Sequence, residues 1–138
     1  MHKIEVRLSP DASKAAQRKN ALQLAYVGDT IYDLYARTHV LLATDAKVTL
    51  LHRQACSLVN ASAQSAALAR IEPMLTQEEQ DVALRGRNAH TRPPKNADPG
   101  DYARATAMEA LLGYLYLSGR SERVDELMRA ALPATDAD

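Results

Sequence analysis

The chain has 138 residues, and its 17 basic and 17 acidic side chains give a formal net charge of zero. This length allows one domain with a substantial core, so we expect a single domain over residues 1–138. No apolar stretch approaches the about 20 residues that a helix needs to cross a bilayer, and no apolar segment follows the basic residues of the N-terminus. We therefore expect a cytoplasmic protein with no membrane partner.

The sequence predicts an all-α fold, because strand patterns are nearly absent. Residues 1–8 alternate as a strand would but have no partner strand, so we predict an extended N-terminal arm over residues 1–16. A flexible tail is predicted at 133–138. Five principal helices are expected at about 17–42, 47–72, 76–86, 101–118 and 121–132.

Capping patterns and the one cysteine add detail to these helices. Thr76 is followed three residues later by Glu79, which is the spacing of a capping box. Asp101 is predicted to cap the fourth helix. Cys56 excludes an internal disulfide because it is the only cysteine, and its helical surroundings predict a small buried core residue.

Two carboxylates lie inside otherwise apolar helical runs, Asp29 in LAYVGDTIYDLY and Glu109 in RATAMEALLGYLYL. An isolated ionised carboxylate is very costly to bury, so such residues are paired, hydrogen-bonded or bound to a metal ion. Gly28 and Gly113 lie close to the two acids and would let helix backbones approach each other. The pattern favours a metal or general-base site. The alternative is that each carboxylate caps a helix or pairs with a nearby arginine.

The helix that carries Asp29 has apolar residues on the face of Asp29 and also on the other side, at Leu24, Val27, Ile31 and Leu34. We therefore expect this helix to be mostly surrounded by protein.

One long irregular segment runs from Gly86 to Gly100 and contains three prolines. A loop of this length in a compact domain is either functional or disordered. Basic residues are concentrated in and around it although the whole chain is neutral, and a local basic patch is what a phosphate backbone would meet. A contact with nucleic acid and a solvated connection are the two interpretations.

Two motifs resemble the signatures of the ribonuclease III family. Residues 24–29 read LAYVGD against L-E-F-L-G-D, and residues 106–113 read TAMEALLG against D-x-x-E-A-L-I-G, in the same order and spacing. The runs LHRQACSLVNASAQSAAL, RGRN, PPKN and GYLYL resemble its short branch, Mini-ribonuclease III, which lacks a separate double-stranded-RNA-binding domain. The resemblance covers about residues 20 to 130. Ala25 and Thr106 replace two acids of the long enzymes, as they do in the short branch, and this leaves the number of metal ions open.

The resemblance implies a ribonuclease III-like helical endonuclease domain that forms a twofold dimer and leaves 5′-phosphate and 3′-hydroxyl ends. It implies that Asp29 and Glu109 are catalytic and bind Mg²⁺, with Mn²⁺ as a substitute. Asp33 would either order a metal-bound water or, in the more ordinary role, be a helix-surface charge. The implied partners are double-stranded RNA, in particular the large-subunit (23S) ribosomal RNA precursor, a second copy of the chain and a ribosomal protein that presents the RNA. The residues expected to contact RNA are Arg85, Arg87, Asn88, Lys95, Asn96 and Arg104.

Two other functions fit the same residues. A non-catalytic RNA-binding dimer of this fold would bind duplex RNA without cleaving it in Mg²⁺. A helical protein-interaction domain, with the carboxylates in structural salt bridges, would bind no metal and show no salt-sensitive association with RNA.

Overall fold

The computed structural model describes residues 6–134, which form helices and connecting segments with no strand among them. The predicted all-α fold is confirmed. The helices are α1 (Ala12–Arg18), α2 (Ala21–Ala43), α3 (Val48–Val59), α4 (Ala61–Ile71), α5 (Gln77–Arg87), α6 (Pro99–Leu117) and α7 (Ser121–Ala131), with a 3-10 turn at Glu72–Met74. In this part of the chain, no helix is long and apolar enough to span a membrane.

Helix α6 is the centre of the domain, and α2, α4 and α5 pack around it. Every residue from Ala105 to Leu115 is buried except Glu109, which is partly exposed. A helix that is apolar on all sides has to be surrounded by protein. The one acid in this run therefore lies where α6 approaches a neighbouring helix rather than on an open surface.

Helix α2 is less enclosed than its composition predicts. The expectation that it is mostly surrounded by protein is wrong within this chain, because Tyr26 is 85% exposed. Four further apolar residues of α2 are also exposed: Leu22, Leu34, Leu41 and Leu42. Leu24, Tyr32, Ala36 and Val40 form its buried side. One face of α2 thus packs on α6 and α3, and the other exposes several apolar side chains.

The predicted second helix is wrong in its continuity, because it is divided into α3 and α4 at Asn60. Asn60 has an extended backbone, and its side chain accepts a hydrogen bond from the Ala63 amide, so it caps the start of α4. The carbonyl of Val59 is consequently left outside the regular hydrogen-bond ladder of both helices. This break turns α4 toward α6.

The N-terminal segment also differs from the prediction. Residues 12–16 of the predicted arm are part of α1 (Ala12–Arg18), and Ala16 is fully buried in the core. A capping box of Asn20 and Gln23 then starts α2. Residues 1–5 of the predicted arm and 135–138 of the predicted tail lie outside the described residues.

The predicted helix caps and the predicted burial of Cys56 can also be compared with the structure. The capping box of Thr76 and Glu79 is confirmed. Asp101 is not the cap of α6, because the side chain of Asp98 accepts from the Asp101 amide and Asp101 lies in the first turn. The prediction that Cys56 is buried is wrong, since it lies exposed on α3.

Candidate active site

Helices α2 and α6 cross with their backbones in contact, as the two glycines predicted. A Cβ built on Gly28 would overlap the backbone carbonyl of Glu109, and one built on Gly113 would overlap the carbonyl of Leu24. Only residues without a side chain allow this approach. The crossing therefore places residue 29 of α2 beside residue 109 of α6.

The two predicted acids meet at this crossing. The carboxyl of Asp29, which is exposed, is within hydrogen-bonding range of the carboxyl of Glu109, which is partly buried. Burial, with the hydrogen bond and negative charge of Asp29 adding to it, raises the pKa of Glu109 to about 8. The amide of Gln64 acts in the opposite direction. Two carboxyls this close repel each other once both are ionised, unless a cation lies between them.

No cationic side chain among residues 6–134 forms an ion pair with Asp29 or Glu109. Neither acid caps a helix, because the caps of α2 and α6 are Asn20 and Asp98. The interpretation that these acids are caps or arginine partners is therefore wrong for the described structure. Asp33 does pair with an arginine, Arg37, at 3.0 Å on the surface of α2, so its ordinary role as a surface charge is the one the structure supports.

Gln64 of α4 is a third side chain at this site, and the sequence analysis missed it. Its Nε2 donates to the carbonyl oxygen of Val59 at 2.9 Å and lies 3.4 Å from Oε2 of Glu109. Gln64 is only 4% exposed. The sequence did contain a signal that Gln64 is buried. It precedes Ala67, Leu68 and Ile71 at helical spacing and therefore shares the buried face of α4.

Tyr32 is a buried residue of α2 that links this helix to the end of α3. Its hydroxyl donates to the carbonyl oxygen of Leu58 at 2.9 Å, at the end of α3. Burial raises the pKa of Tyr32 to about 12, with the charge of Glu109 contributing, so the hydroxyl remains a donor at neutral pH. The last two carbonyls of α3 thus each accept a hydrogen bond, one from α2 and one from α4.

The donor set fits a divalent cation. Mg²⁺ prefers oxygen ligands and commonly uses one or two protein carboxylates, with water and phosphate oxygens completing its shell. Asp29 and Glu109 supply two carboxyl groups that have no cationic partner among the described side chains. Within residues 6–134, no group of three or more His, Cys, Asp or Glu could hold an ion, so water and phosphate oxygens would have to supply the remaining ligands of an ion at this pair.

The residues expected to contact RNA lie in two different environments. Arg85, Arg87, Asn88, Lys95 and Asn96 are exposed at the end of α5 and in the segment before α6. Arg104 is already engaged, because its Nη2 lies 2.5 Å from Oε1 of Glu72 and its Nε donates to Oγ of Ser65 at 3.1 Å. The exposed cations Arg85, Arg87 and Lys95 form no ion pair with any described residue.

Comparison with known proteins places the same two acids inside a family domain. The Ribonuclease III domain family matches residues 22–120. A protein of Symbiobacterium thermophilum named Mini-ribonuclease 3 is 49% identical over 111 residues, which are 80% of this chain and 85% of that protein. A protein of the same name from Brevibacillus brevis is 42% identical over 120 residues, covering 86% of this chain and 90% of the relative.

A crystal structure of a Fusobacterium nucleatum protein has a similar fold. It superposes with a TM-score of 0.72 at 29% sequence identity, and the match covers 80% of this chain and 88% of that one. The helical arrangement described above is therefore also found in an experimental structure.

Proposed function

Because the chain belongs to the Mini-ribonuclease III branch of the ribonuclease III family, we propose that Asp29 and Glu109 are its catalytic residues and bind Mg²⁺. Membership of this family makes the chain an endoribonuclease that acts on double-stranded RNA. The observation that carries the assignment is the meeting of two carboxyls at the crossing of α2 and α6, with no cationic partner among residues 6–134.

The two acids have distinct parts in the proposed reaction. Asp29 presents an exposed carboxylate toward the RNA, and Glu109 supplies a second, partly buried one from α6. Glu109 would have to lose its proton to serve as a ligand, so binding of an ion there would release a proton near neutral pH. When bound, Mg²⁺ or Mn²⁺ would lower the pKa of a water nucleophile and stabilise charge on the phosphate and on the leaving 3′ oxygen. The products would carry 5′-phosphate and 3′-hydroxyl ends.

The experiment that tests this proposal is cleavage of a long RNA duplex with and without Mg²⁺, followed by analysis of the product ends. We expect cleavage in Mg²⁺, none in EDTA, and 5′-phosphate ends. Salt-sensitive binding without cleavage would instead support a non-catalytic RNA-binding dimer. The absence of both metal and RNA binding would support a protein-interaction domain.

The proposed RNA contact is the exposed basic surface formed by Arg85, Arg87, Asn88, Lys95 and Asn96. It would read the backbone shape of an A-form duplex, because the deep major groove hides most base edges. Arg104 is retained as a contact only if RNA displaces its bonds to Glu72 and Ser65. We further propose the large-subunit (23S) ribosomal RNA precursor as substrate, presented by a ribosomal protein in the cytoplasm.

The basic surface can be tested through salt dependence. Replacing Arg85, Arg87 and Lys95 together by Ala should weaken binding to all duplex sequences and flatten the plot of affinity against salt, since each lost phosphate contact reduces counterion release. The double change Lys14→Ala and Arg18→Ala, on α1, is the matched control and should leave the slope unchanged. An unchanged slope in the triple variant would place the RNA elsewhere.

We also propose a homodimer that buries the exposed apolar face of α2. Tyr26 and Leu22 stand on this face beside a depression lined by Lys19, Asn20, Gln23, Val27 and Leu117. Exposed apolar patches mark interaction sites. A twofold dimer would give two metal sites for the two strands of a duplex, whose backbones are also related by a twofold axis.

The oligomeric state tests this second proposal. In light scattering we expect twice the 15.1 kDa mass of the chain. Tyr26→Ser should shift the protein toward the monomer, whereas Leu84→Ser, which changes an exposed leucine on α5, should not. A wild-type protein that is monomeric at micromolar concentration and fully active would contradict the proposal.

A further inference from the structure

The amide of Gln64 contacts the proposed active site from behind, on the side of α4. Its Nε2 lies 2.9 Å from the carbonyl oxygen of Val59, which can only accept a hydrogen bond, and 3.4 Å from Oε2 of Glu109. The opposite amide orientation would direct an oxygen at two oxygens. The nitrogen therefore belongs on this side, and Gln64 acts as a donor to Glu109.

The oxygen of the same amide indicates that packing alone does not explain a glutamine at this position. Oε1 of Gln64 is buried and has no hydrogen-bond partner among the described residues. A buried acceptor without a partner costs free energy, whereas an apolar side chain of the same length would fill the space without that cost. An amide at this position is explained by the contact that its nitrogen makes.

Gln80 of α5 provides a comparison within the same molecule. Gln64 and Gln80 are each the fourth residue of their helix, and each donates to a carbonyl five residues earlier. For Gln80 this carbonyl is that of Leu75, at 3.1 Å, and no carboxylate of residues 6–134 bonds to its side chain. The contact at the helix start is thus shared by both glutamines. The contact with Glu109 is what distinguishes Gln64.

The carbonyl of Val59 fixes the position of the Gln64 amide. Val59 is the last residue of α3, and Tyr32 holds the preceding carbonyl of Leu58 at 2.9 Å. The amide is consequently tied to a part of the fold that α2 and α4 both contact. A side chain held in this way can define the rotation of the carboxylate it touches.

We propose that Gln64 is a positioning residue that acts through Glu109. By holding Oε2 of Glu109, it fixes the carboxylate plane and leaves Oε1 as the oxygen free for Asp29 or for a divalent ion. This inference rests on the proposed function of the Asp29 and Glu109 pair.

The test compares Gln64→Met with Gln80→Met, since methionine has a similar length and no hydrogen-bonding group. Mn²⁺ binding to the RNA-free protein is measured by electron paramagnetic resonance, and cleavage is measured with a saturating RNA duplex. We expect Gln64→Met to weaken Mn²⁺ binding and to lower kcat, each by about tenfold, as changes to residues that orient metal ligands do. The affinity for RNA should stay within about twofold, because Gln64 is buried away from the exposed basic surface. Gln80→Met should match wild type in Mn²⁺ affinity and kcat.

Wild-type Mn²⁺ affinity and kcat in Gln64→Met would overturn the inference, and so would equal losses in both methionine variants. If Gln64→Met does not fold, Gln64→Leu is the second variant, because it also removes the amide and adds no charge. Its kcat should also fall, and a wild-type kcat would overturn the inference. If Glu109→Gln abolishes cleavage while both Gln64 variants are normal, the inference on Gln64 fails and the proposed site stands. If Glu109→Gln is also normal, the proposed site fails as well.

Discussion

Glu79 is a buried acid and Glu109 a partly buried one, and their neighbours carry opposite charges. Glu79 is 2% exposed and accepts hydrogen bonds from Arg123 at 2.8 and 2.7 Å, and Arg123 holds its pKa below the ordinary value. Glu109 faces another acid instead of a cation, and burial raises its pKa to about 8. Burial of an acid is therefore compatible with a structural role, whereas burial without a compensating charge marks a candidate functional site.

The largest expected effect is the loss of cleavage when either acid of the pair is neutralised. Asp29→Asn and Glu109→Gln should each reduce the rate by roughly a thousandfold or more, because each keeps the shape and removes a charge that binds the metal. Asp33→Asn is the matched control, since Asp33 lies one turn from Asp29 but pairs with Arg37 on the surface. It should cleave at the wild-type rate. Wild-type cleavage rates in both of the other variants would show that the pair is not the active site.

The next effect is on stability and separates the two glutamates. Glu79→Gln should lower the free energy of unfolding by about 2 kcal/mol, because Arg123 loses its charged hydrogen bonds to a buried carboxylate and keeps only the exposed Glu126 as an ionic partner. Glu109→Gln should leave the metal-free protein as stable as wild type or more stable, because it removes a repulsive charge. Urea unfolding in EDTA measures both. A large loss of stability in Glu109→Gln would make that carboxylate structural as well.

The dependence of stability on pH should have opposite signs for the two residues. Glu109 binds its proton more tightly in the folded state, up to a pKa of about 8 from an ordinary value of 4.5, so metal-free stability should fall as pH rises between these values. Glu79 has a lowered pKa, so its contribution is present above about pH 4.5 and is lost as pH falls through the lowered value. Unfolding in EDTA from pH 5 to 8.5 should show a decline in wild type that Glu109→Gln reduces. An identical slope in both proteins would contradict the raised pKa of Glu109.

The smallest expected effect is the increase in melting temperature caused by Mg²⁺. An ion that binds only the folded site stabilises it by about 1.4 kcal/mol at ten times its Kd. Glu109→Gln should reduce this increment, whereas Glu79→Gln should keep it while melting at a lower temperature. Differential scanning calorimetry at a series of Mg²⁺ concentrations measures these increases in melting temperature. Equal increments in all three proteins would place the ion away from Glu109.

The central crossing could be predicted from the sequence because its determinants are local. Gly28 beside Asp29 and Gly113 one turn after Glu109 indicate close helix contact without knowledge of the rest of the chain. The resemblance in these two motifs then placed them in one family. Their spatial meeting is the part of the prediction that the structure bears out.

The break at Asn60 and the role of Gln64 could not be predicted in the same way. The pattern from Leu51 to Leu68 stays compatible with one helix, because Asn is tolerated inside a helix and is also a good N-cap. Only the tertiary arrangement decides between the two. Without the break, the carbonyl of Val59 would accept a backbone hydrogen bond inside a helix. It would then not be available to hold the Gln64 amide near Glu109.

The open face of α2 shows a different limit. An apolar residue such as Tyr26 indicates that a surface is to be covered, but it does not indicate whether the same chain or another one covers it. The helical pattern predicted a surrounded helix, whereas the described chain packs α6 and α3 on one side of α2 and leaves Tyr26 exposed on the other.

The contact between the backbones of α2 and α6 also has a consequence for the choice of ion. Since the helices already touch at Gly28 and Gly113, the gap between the two carboxyl groups depends on side-chain length and not on movement of the helices. Mg²⁺ takes oxygen ligands at about 2.0–2.1 Å and Ca²⁺ at about 2.3–2.6 Å. We therefore expect the side chains to decide the preference between these two ions, and lengthening Asp29 to Glu by one methylene is the change that should alter it.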